Sequence, residues 1–120
     1  MAHELRMRDD GILWLAQIGD VDEEDMDTFL GDLTPFLEAA TKEQPLLILS
    51  DTSRTGKLSA SARKLLAGLG RDPRLRKTAI VGSGRYTRVV ASFINKAAGR
   101  DNIRFFDSEQ EAVAWLKAEA

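Results

Sequence analysis

Three short apolar segments, each followed by a helix-spaced apolar pattern, constrain the fold more than any other feature of this 120-residue chain. The segments are "PLLILSD" (45–51), "KTAIVG" (77–82) and "NIRFF" (102–106). Nearly continuous apolar runs of this length are typical of strands that are covered on both faces. Helices between such strands favour parallel pairing with right-handed crossovers. The pattern therefore predicts an α/β protein with a mostly parallel sheet.

Two more strands and a helix precede these units. "HELRMR" (3–8) alternates, "DDG" supplies turn residues, and "ILWLAQI" (12–18) reads as a second strand, so the two strands should form a hairpin. A helical pattern follows, with Asp22 as its predicted N-cap, and Pro35 should kink this helix or split it near Gly31.

The last helix is predicted to begin at Ser108, because Glu111 stands three residues later and completes a capping box. The predicted element order is therefore ββαβαβαβα. It describes a mixed, mostly parallel sheet opened by an N-terminal hairpin, in a single domain that spans residues 1–120.

Composition argues against most catalytic chemistry. The chain has no cysteine and only one histidine, His3, close to its start. Thiolate sites are thereby excluded, and a catalytic triad or a tetrahedral zinc site is disfavoured. The segment "DVDEED" lacks the glycine and glutamate spacing of a calcium loop. We therefore expect a protein that is not an enzyme and needs neither a cofactor nor a metal.

No apolar run approaches the roughly 20 residues that span a bilayer, and the polar start lacks the apolar core of a signal peptide. A cytoplasmic location is the simplest expectation. Charge is divided unevenly: residues 20–51 hold ten acids and one base, whereas residues 54–100 hold twelve bases and one acid, Asp72. Either the two segments attract each other within the domain, or the basic one contacts an anionic partner such as a membrane surface.

The chain resembles the SpoIIAA-like branch of the STAS/Sec14-like fold. The resemblance is carried by "ILWLAQIGDVDEEDM", "LLILSDTS", "KTAIVGSGRYTRVVASFI" and "NIRFFDSEQEAVAWL", and it covers essentially the whole chain. It implies a role in binding or carrying small apolar molecules. In classical anti-sigma-factor antagonists of this fold, the loop after the third strand carries an Asp-Ser-Ser-Gly-type motif whose Ser is phosphorylated. This chain has "SDTSRTGKLSAS" there instead, and Ser59 is the nearest equivalent by position.

The junction after the third strand is the first candidate site. Its hydroxyl and carboxyl residues suit turns and a helix N-cap, which explains them structurally. The carboxyl ends of parallel strands are also where ligands usually bind in open α/β sheets. The candidate rim residues are Asp51, Thr52, Ser53 and Ser59, with Ser59 as the candidate phosphosite.

A second candidate lies in "VGSGRYTR" (81–88), where a strand leads through glycines into a helix. Backbone N–H groups at such a start attract anions, although tight-turn glycines explain the pattern as well. The dinucleotide fingerprint lacks its third glycine, and only Tyr86 offers an obvious stacking surface, so neither nucleotide nor nucleic acid is expected. The residues assigned to the same rim are Gly82, Ser83, Gly84 and Arg85.

These observations predict a non-catalytic binding or regulatory module for a small apolar or amphipathic ligand. Two alternatives stay open. One is a protein-interaction domain of the anti-sigma-factor-antagonist type with a phosphorylatable Ser59, and the other is a peripheral binder of anionic membranes through its basic face. The sequence identifies neither the ligand nor the oligomeric state.

Overall fold

The computed structural model describes residues 2–82, 92, 95, 96, 99 and 101–118. These residues form six strands and three helices. In chain order they are β1 (Ala2–Met7), β2 (Leu13–Val21), α1 (Glu23–Ala39), β3 (Leu46–Asp51), β4 (Thr55–Leu58), α2 (Ala60–Gly70), β5 (Leu75–Val81), β6 (Ile103–Phe106) and α3 (Glu109–Lys117).

The main sheet has the order β1-β2-β3-β5-β6. β1 pairs with β2 in antiparallel fashion, and the other neighbours are parallel. The hairpin turn is closed by the backbone N–H of Arg8, which donates to the carbonyl of Ile12 at 2.9 Å. The predicted mixed, mostly parallel sheet with an N-terminal hairpin is thus confirmed. The helix predicted between β5 and β6 lies outside the described residues.

One strand was not predicted. Residues 55–58 form β4, which runs parallel to the end of β2 and pairs Thr55 with Gly19 and Leu58 with Val21. β2 is nine residues long, and β3 pairs only with its residues 13–16. The backbone N–H and C=O groups in the rest of β2 therefore need other hydrogen-bond partners, and residues 55–58 supply them. The prediction of a plain loop between β3 and α2 was wrong at this point.

Helix α1 is continuous from Glu23 to Ala39, so the predicted split near Gly31 did not occur. Proline lacks the N–H that would bond to the carbonyl four residues earlier. Here that carbonyl belongs to Gly31, and both Gly31 and Pro35 are exposed, so water can satisfy the group. The predicted N-cap is confirmed: Asp22 Oδ1 accepts from the Asp25 N–H at 2.9 Å.

Helices cover both faces of the sheet. α1 and α2 bury one face, and the largest fully buried side chain there is Phe29. Burying such a side chain contributes about 1.5–3 kcal/mol. α3 covers the other face, where Ala112 and Leu116 pack against Ile12, Leu49 and Ala79. The predicted cap of α3 is also confirmed, because Ser108 Oγ accepts from the Glu111 N–H at 3.2 Å.

A buried lysine holds the end of α3 against the sheet. Lys77 is 7% exposed, and its Nζ donates to the carbonyls of Trp115 and Ala118, each at 2.8 Å. The last carbonyls of a helix lack intrahelical partners and carry partial negative charge, so a cation suits them. Burial, together with the positive charges of Arg76 and Arg104, lowers the pKa of Lys77.

The side chain of Asn95 pairs with the backbone of β6. Its Nδ2 donates to the carbonyl of Ile103 at 2.7 Å, and its Oδ1 accepts from the Ile103 N–H at 3.1 Å. On the β5 side, the Thr78 N–H donates to the carbonyl of Asn102 at 2.8 Å. Because successive residues of a strand direct their backbone groups to opposite edges, Ile103 faces away from β5.

Candidate functional site

The turn after β3 uses the hydroxyl and carboxyl groups that the sequence singled out. Asp51 Oδ1 accepts from the Ser53 N–H at 3.0 Å. The N–H and the hydroxyl of Thr52 both donate to the carbonyl of Val81, at 2.8 and 3.1 Å, and thereby join the ends of β3 and β5. Turn formation therefore accounts for Asp51, Thr52 and Ser53, and only Thr52 among them also faces the cavity described below.

β4 is tied to β2 by side chains as well as by backbone pairing. Thr55 Oγ1 donates to the carbonyl of Gln17 at 2.6 Å, and Asp20 Oδ1 accepts from the Lys57 N–H at 2.8 Å. Gly56 lies so close to Asp20 that a Cβ at this position would overlap the carboxylate. The close packing explains why a glycine follows Thr55.

Ser59 connects β4 to α2. Its backbone N–H donates to the carbonyl of Val21 at 2.9 Å, and its Oγ accepts from the Ala62 N–H at 3.0 Å. It is the N-cap of α2, as predicted, and it is exposed. The residue that caps the helix is therefore exposed, and its phosphorylation stays a prediction.

Gly82 follows β5 and approaches the same turn. Its φ is 138°, and a Cβ there would lie 2.6 Å from Thr52 Oγ1 and 2.9 Å from the backbone N of Ser53. Asp51, Thr52, Ser53 and Gly82 therefore meet at one edge of the sheet, whereas Ser59 lies beyond them at the end of β4. The remaining predicted residues, Ser83, Gly84 and Arg85, lie outside the described residues.

A cavity of about 90 Å³ lies beneath this edge, between the sheet and α2; we call it the sheet–α2 cavity. Its floor consists of side chains from four neighbouring strands, β2, β3, β5 and β6. Thr52, Thr55 and Gly56 stand at its carboxyl-end edge. The other described residues that line it are Leu15, Gln17, Phe29, Ile48, Ser50, Leu58, Leu66, Leu69, Gly70, Leu75, Thr78, Ile80 and Ile103.

Three polar floor residues, Gln17, Ser50 and Thr78, were not predicted. In β2 the residues Leu13, Leu15 and Gln17 share the face toward α1 and α2, so a polar side chain enters an otherwise apolar row. In β3, Ser50 continues the row of Ile48. The strand pattern carried this signal, because a polar residue at an inward position of a buried strand is unusual.

The described part of the chain contains no cluster of three or more side chains that could hold a metal ion. None of the helices in that part is long and apolar enough to cross a membrane.

Comparison with solved structures shows which fold the chain shares. One similar structure is an uncharacterised protein from Shewanella loihica PV-4 with a SpoIIAA-like fold, with 24% identity and a TM-score of 0.71 over 96% of this chain and 92% of that one. Another is the anti-sigma factor antagonist SpoIIAA in its unphosphorylated form, with 16% identity and a TM-score of 0.67 over 98% of this chain and 100% of that one.

No curated protein matches the chain. The family comparison does find a match, to the SpoIIAA-like family, and it extends over residues 12–117. That range runs from the start of β2 to the end of α3 and includes the turn, β4 and all the described residues that line the sheet–α2 cavity. The chain belongs to the SpoIIAA-like family.

Proposed function

We propose that this protein is a non-catalytic binding module that holds a small apolar or amphipathic molecule in the sheet–α2 cavity. The observation that carries the proposal is the cavity itself: an aliphatic lining closed at the carboxyl ends of β3 and β5 by Thr52, Thr55 and Gly56. Ligand sites typically combine an apolar lining with a few placed polar groups. In open parallel sheets they lie at this edge.

The chemistry of the lining supports binding over catalysis. Among the described lining residues there is no Asp, Glu, Lys, Arg or His. General acid–base catalysis needs a titratable group within hydrogen-bond reach of the substrate. Asp51, the carboxylate among the predicted rim residues, accepts a hydrogen bond from the Ser53 N–H in the turn and does not line the cavity.

The volume of the cavity limits the ligand. An engineered apolar cavity of about 150 Å³ binds benzene or xenon, and one water needs at least about 10–15 Å³. At about 90 Å³ the sheet–α2 cavity lies between these two sizes, so it has room for one small guest of a few heavy atoms. A longer molecule would place one end inside and leave the rest in contact with the rim.

Filling the cavity tests the proposal. We expect Leu66→Phe to abolish binding of xenon, followed by NMR shifts of amides in β3 and β5, because the larger ring occupies the space. Leu65→Phe is the matched control, since Leu65 is a similarly half-buried neighbour on α2 that does not line the cavity. If xenon shifts no amides in the unmodified protein, the proposal is wrong.

A partner protein is a second candidate, favoured by the exposed position of Ser59 at the start of α2 and by the structural likeness to an anti-sigma factor antagonist. A negative charge suits a helix N-terminus. We expect Ser59→Ala to lower the free energy of unfolding by about 1 kcal/mol and Ser59→Asp to change it little, because Asp is also a good N-cap.

Urea denaturation measures these changes, with the exposed Ser61→Ala as control. Phosphopeptide mapping of protein isolated from its native cells decides the second candidate. Phosphate on Ser59 would support it, and its absence under all growth conditions would contradict it.

A further inference from the structure

We propose that the sheet–α2 cavity selects a ligand with an uncharged polar head that both donates and accepts hydrogen bonds, such as an alcohol or an amide, and that Ser50 and Gln17 receive this head. The inference rests on the proposed function, because it assigns the class of ligand to the same cavity. Three observations support it: the Ser50 hydroxyl faces the cavity, the Gln17 amide has only a weak hydrogen-bond partner, and the described lining residues are uncharged.

Ser50 lines the cavity, is 9% exposed, and lies on β3 directly opposite Leu15 of β2 and Ile80 of β5. Within the described part of the chain, the fully buried polar atoms that lack a hydrogen-bond partner belong to Asn102, so the Ser50 hydroxyl is reached from the cavity and can bond to a guest. A ligand with a complementary head would form that hydrogen bond on binding.

Gln17 is 8% exposed and lies two residues beyond Leu15, on the same face of the sheet as Ser50. Its Nε2 donates to the sulfur of Met26 at 3.5 Å. A thioether is a weak acceptor, so this bond uses little of the capacity of the amide. Together, the hydroxyl and the amide present donors and acceptors to the same cavity.

The described lining residues carry no charge, so we expect the ligand to be uncharged as well. An ion taken from water into an apolar site without a partner pays a large desolvation cost. A carboxylate or an ammonium head would meet only neutral side chains here, whereas an alcohol or amide head loses only hydrogen bonds that Ser50 and Gln17 can replace.

The order of residues along the strands gives the ligand a direction. Ser50 lies one residue before the carboxyl end of β3, beside Thr52 in the chain. Gln17 lies in the middle of β2, one residue beyond the pairing of Ala16 with Asp51, and its carbonyl accepts from Thr55 Oγ1. At the opposite end the lining is Leu75, the first residue of β5, with Leu69 and Gly70 at the end of α2. The polar head therefore points toward the rim, and the apolar end points toward Leu75.

The competing occupant of such a cavity is water. A buried water needs two to four polar partners, and Ser50, Gln17 and Thr78 are the neutral polar side chains that could supply them. An alcohol head that replaces such a water can make the same hydrogen bonds that the water made. The alkyl chain of the alcohol adds apolar contacts that the water lacks.

The test uses the full chain labelled with ¹⁵N and four probes at neutral pH: xenon, 1-butanol, butyrate and n-butylammonium. We expect saturable amide shifts in β3 and β5 with xenon and with 1-butanol, and binding of 1-butanol at least about tenfold tighter than that of either charged probe. Contacts from the 1-butanol methyl group to Leu75, seen as intermolecular nuclear Overhauser effects, should give the direction.

Ser50→Ala should weaken 1-butanol binding by about three- to tenfold and leave xenon binding unchanged. Ser61→Ala, at an exposed serine of α2 that does not line the cavity, should change neither. If xenon binds but butyrate binds as well as 1-butanol, or if Ser50→Ala has no effect, the inference is overturned while the cavity stands. If xenon does not bind, the proposed function itself is overturned.

Discussion

At Gly82 the backbone has a φ of 138°, and its α-carbon lies against the side chain of Thr52 and the backbone of Ser53. An L-residue rarely adopts such a φ. The contact also lies where the hydrogen bonds of Thr52 to Val81 join β3 to β5. A side chain at this position would therefore strain the backbone and push apart the two strand ends that form the rim.

We predict that Gly82→Ala lowers the free energy of unfolding by about 2 kcal/mol or more, because backbone strain and overlap with Thr52 add. Gly68→Ala is the matched control. Gly68 is exposed on α2 with open space around its α-carbon, so alanine should stabilise the helix by up to about 1 kcal/mol. Urea denaturation measures the free energy of unfolding of both variants. Equal changes would contradict the conclusion that a side chain at position 82 strains the backbone and overlaps Thr52.

At the scale of elements, Lys77 connects a strand to a helix that lies far from it in sequence. The ammonium group has no buried carboxylate opposite it in the described structure; it bonds to the carbonyls of Trp115 and Ala118 and lies 5.0 Å from the centre of the Trp115 ring. The interaction aligns α3 on β5, but it keeps a charge away from water. Burial therefore lowers the pKa of Lys77 from 10.5.

This lowered pKa makes stability depend on pH. Between the folded pKa and 10.5 the unfolded chain binds more protons at Lys77 than the folded chain, so stability should rise with pH through that window. We predict that Lys77→Met removes this rise of stability with pH, whereas the substitution Lys64→Met at an exposed position leaves the rise intact. Urea denaturation from neutral pH upward measures the difference, and a Lys77→Met curve parallel to that of the unmodified protein would refute the prediction.

Elements with a strong local pattern were predictable, and elements made by their neighbours were not. The apolar run of β3 and the cap of α3 identify themselves from consecutive residues. "TGKL" carries no strand pattern, and it becomes β4 only because β2 extends past β3. The continuity of α1 through Pro35 likewise depends on exposure of the Gly31 carbonyl to solvent.

In the candidate site, too, some features could be predicted from the sequence and others could not. The meeting of Thr52 and Gly82 was predictable, because parallel topology brings the ends of β3 and β5 together wherever their side chains point. A role of these residues as a ligand rim stays a prediction. The inward positions of Gln17 and Ser50 were visible in the strand pattern. The partners of these two side chains were not, because they depend on contacts across strands that the pattern of one strand does not contain.

At the scale of the whole molecule, the uneven charge is partly neutralised within the fold. Arg74 pairs with Asp72 at 2.7 Å, Arg54 lies 3.9 Å from Glu4, and Lys77 is buried. Other bases of the same segment, Lys57 and Lys64 among them, are exposed. Fewer of the described bases are therefore available to an anionic partner than their number in the sequence indicates.

We predict that the protein floats with vesicles of anionic lipid at low salt, and that this binding disappears as salt approaches physiological strength. At 0.1 M salt, exposed charges that lie more than about 10 Å apart are largely screened. The attraction between scattered bases and anionic lipid should therefore weaken as the salt concentration rises. Vesicles of neutral lipid are the control. Equal flotation with both kinds of vesicle at low salt would mean that the exposed bases are simply solvated.

The amide of Asn95 has a consequence for assembly. Open sheets end in strands whose unpaired backbone groups can template a strand of another molecule. At β6 the outward N–H and carbonyl of Ile103 already bond to Asn95, so an incoming strand would have to displace a side chain before it could pair. Among the described strands, growth of the sheet from one copy of the chain to the next should therefore be easier at β1 than at β6, and a twofold axis at β1 would make the joined strands antiparallel.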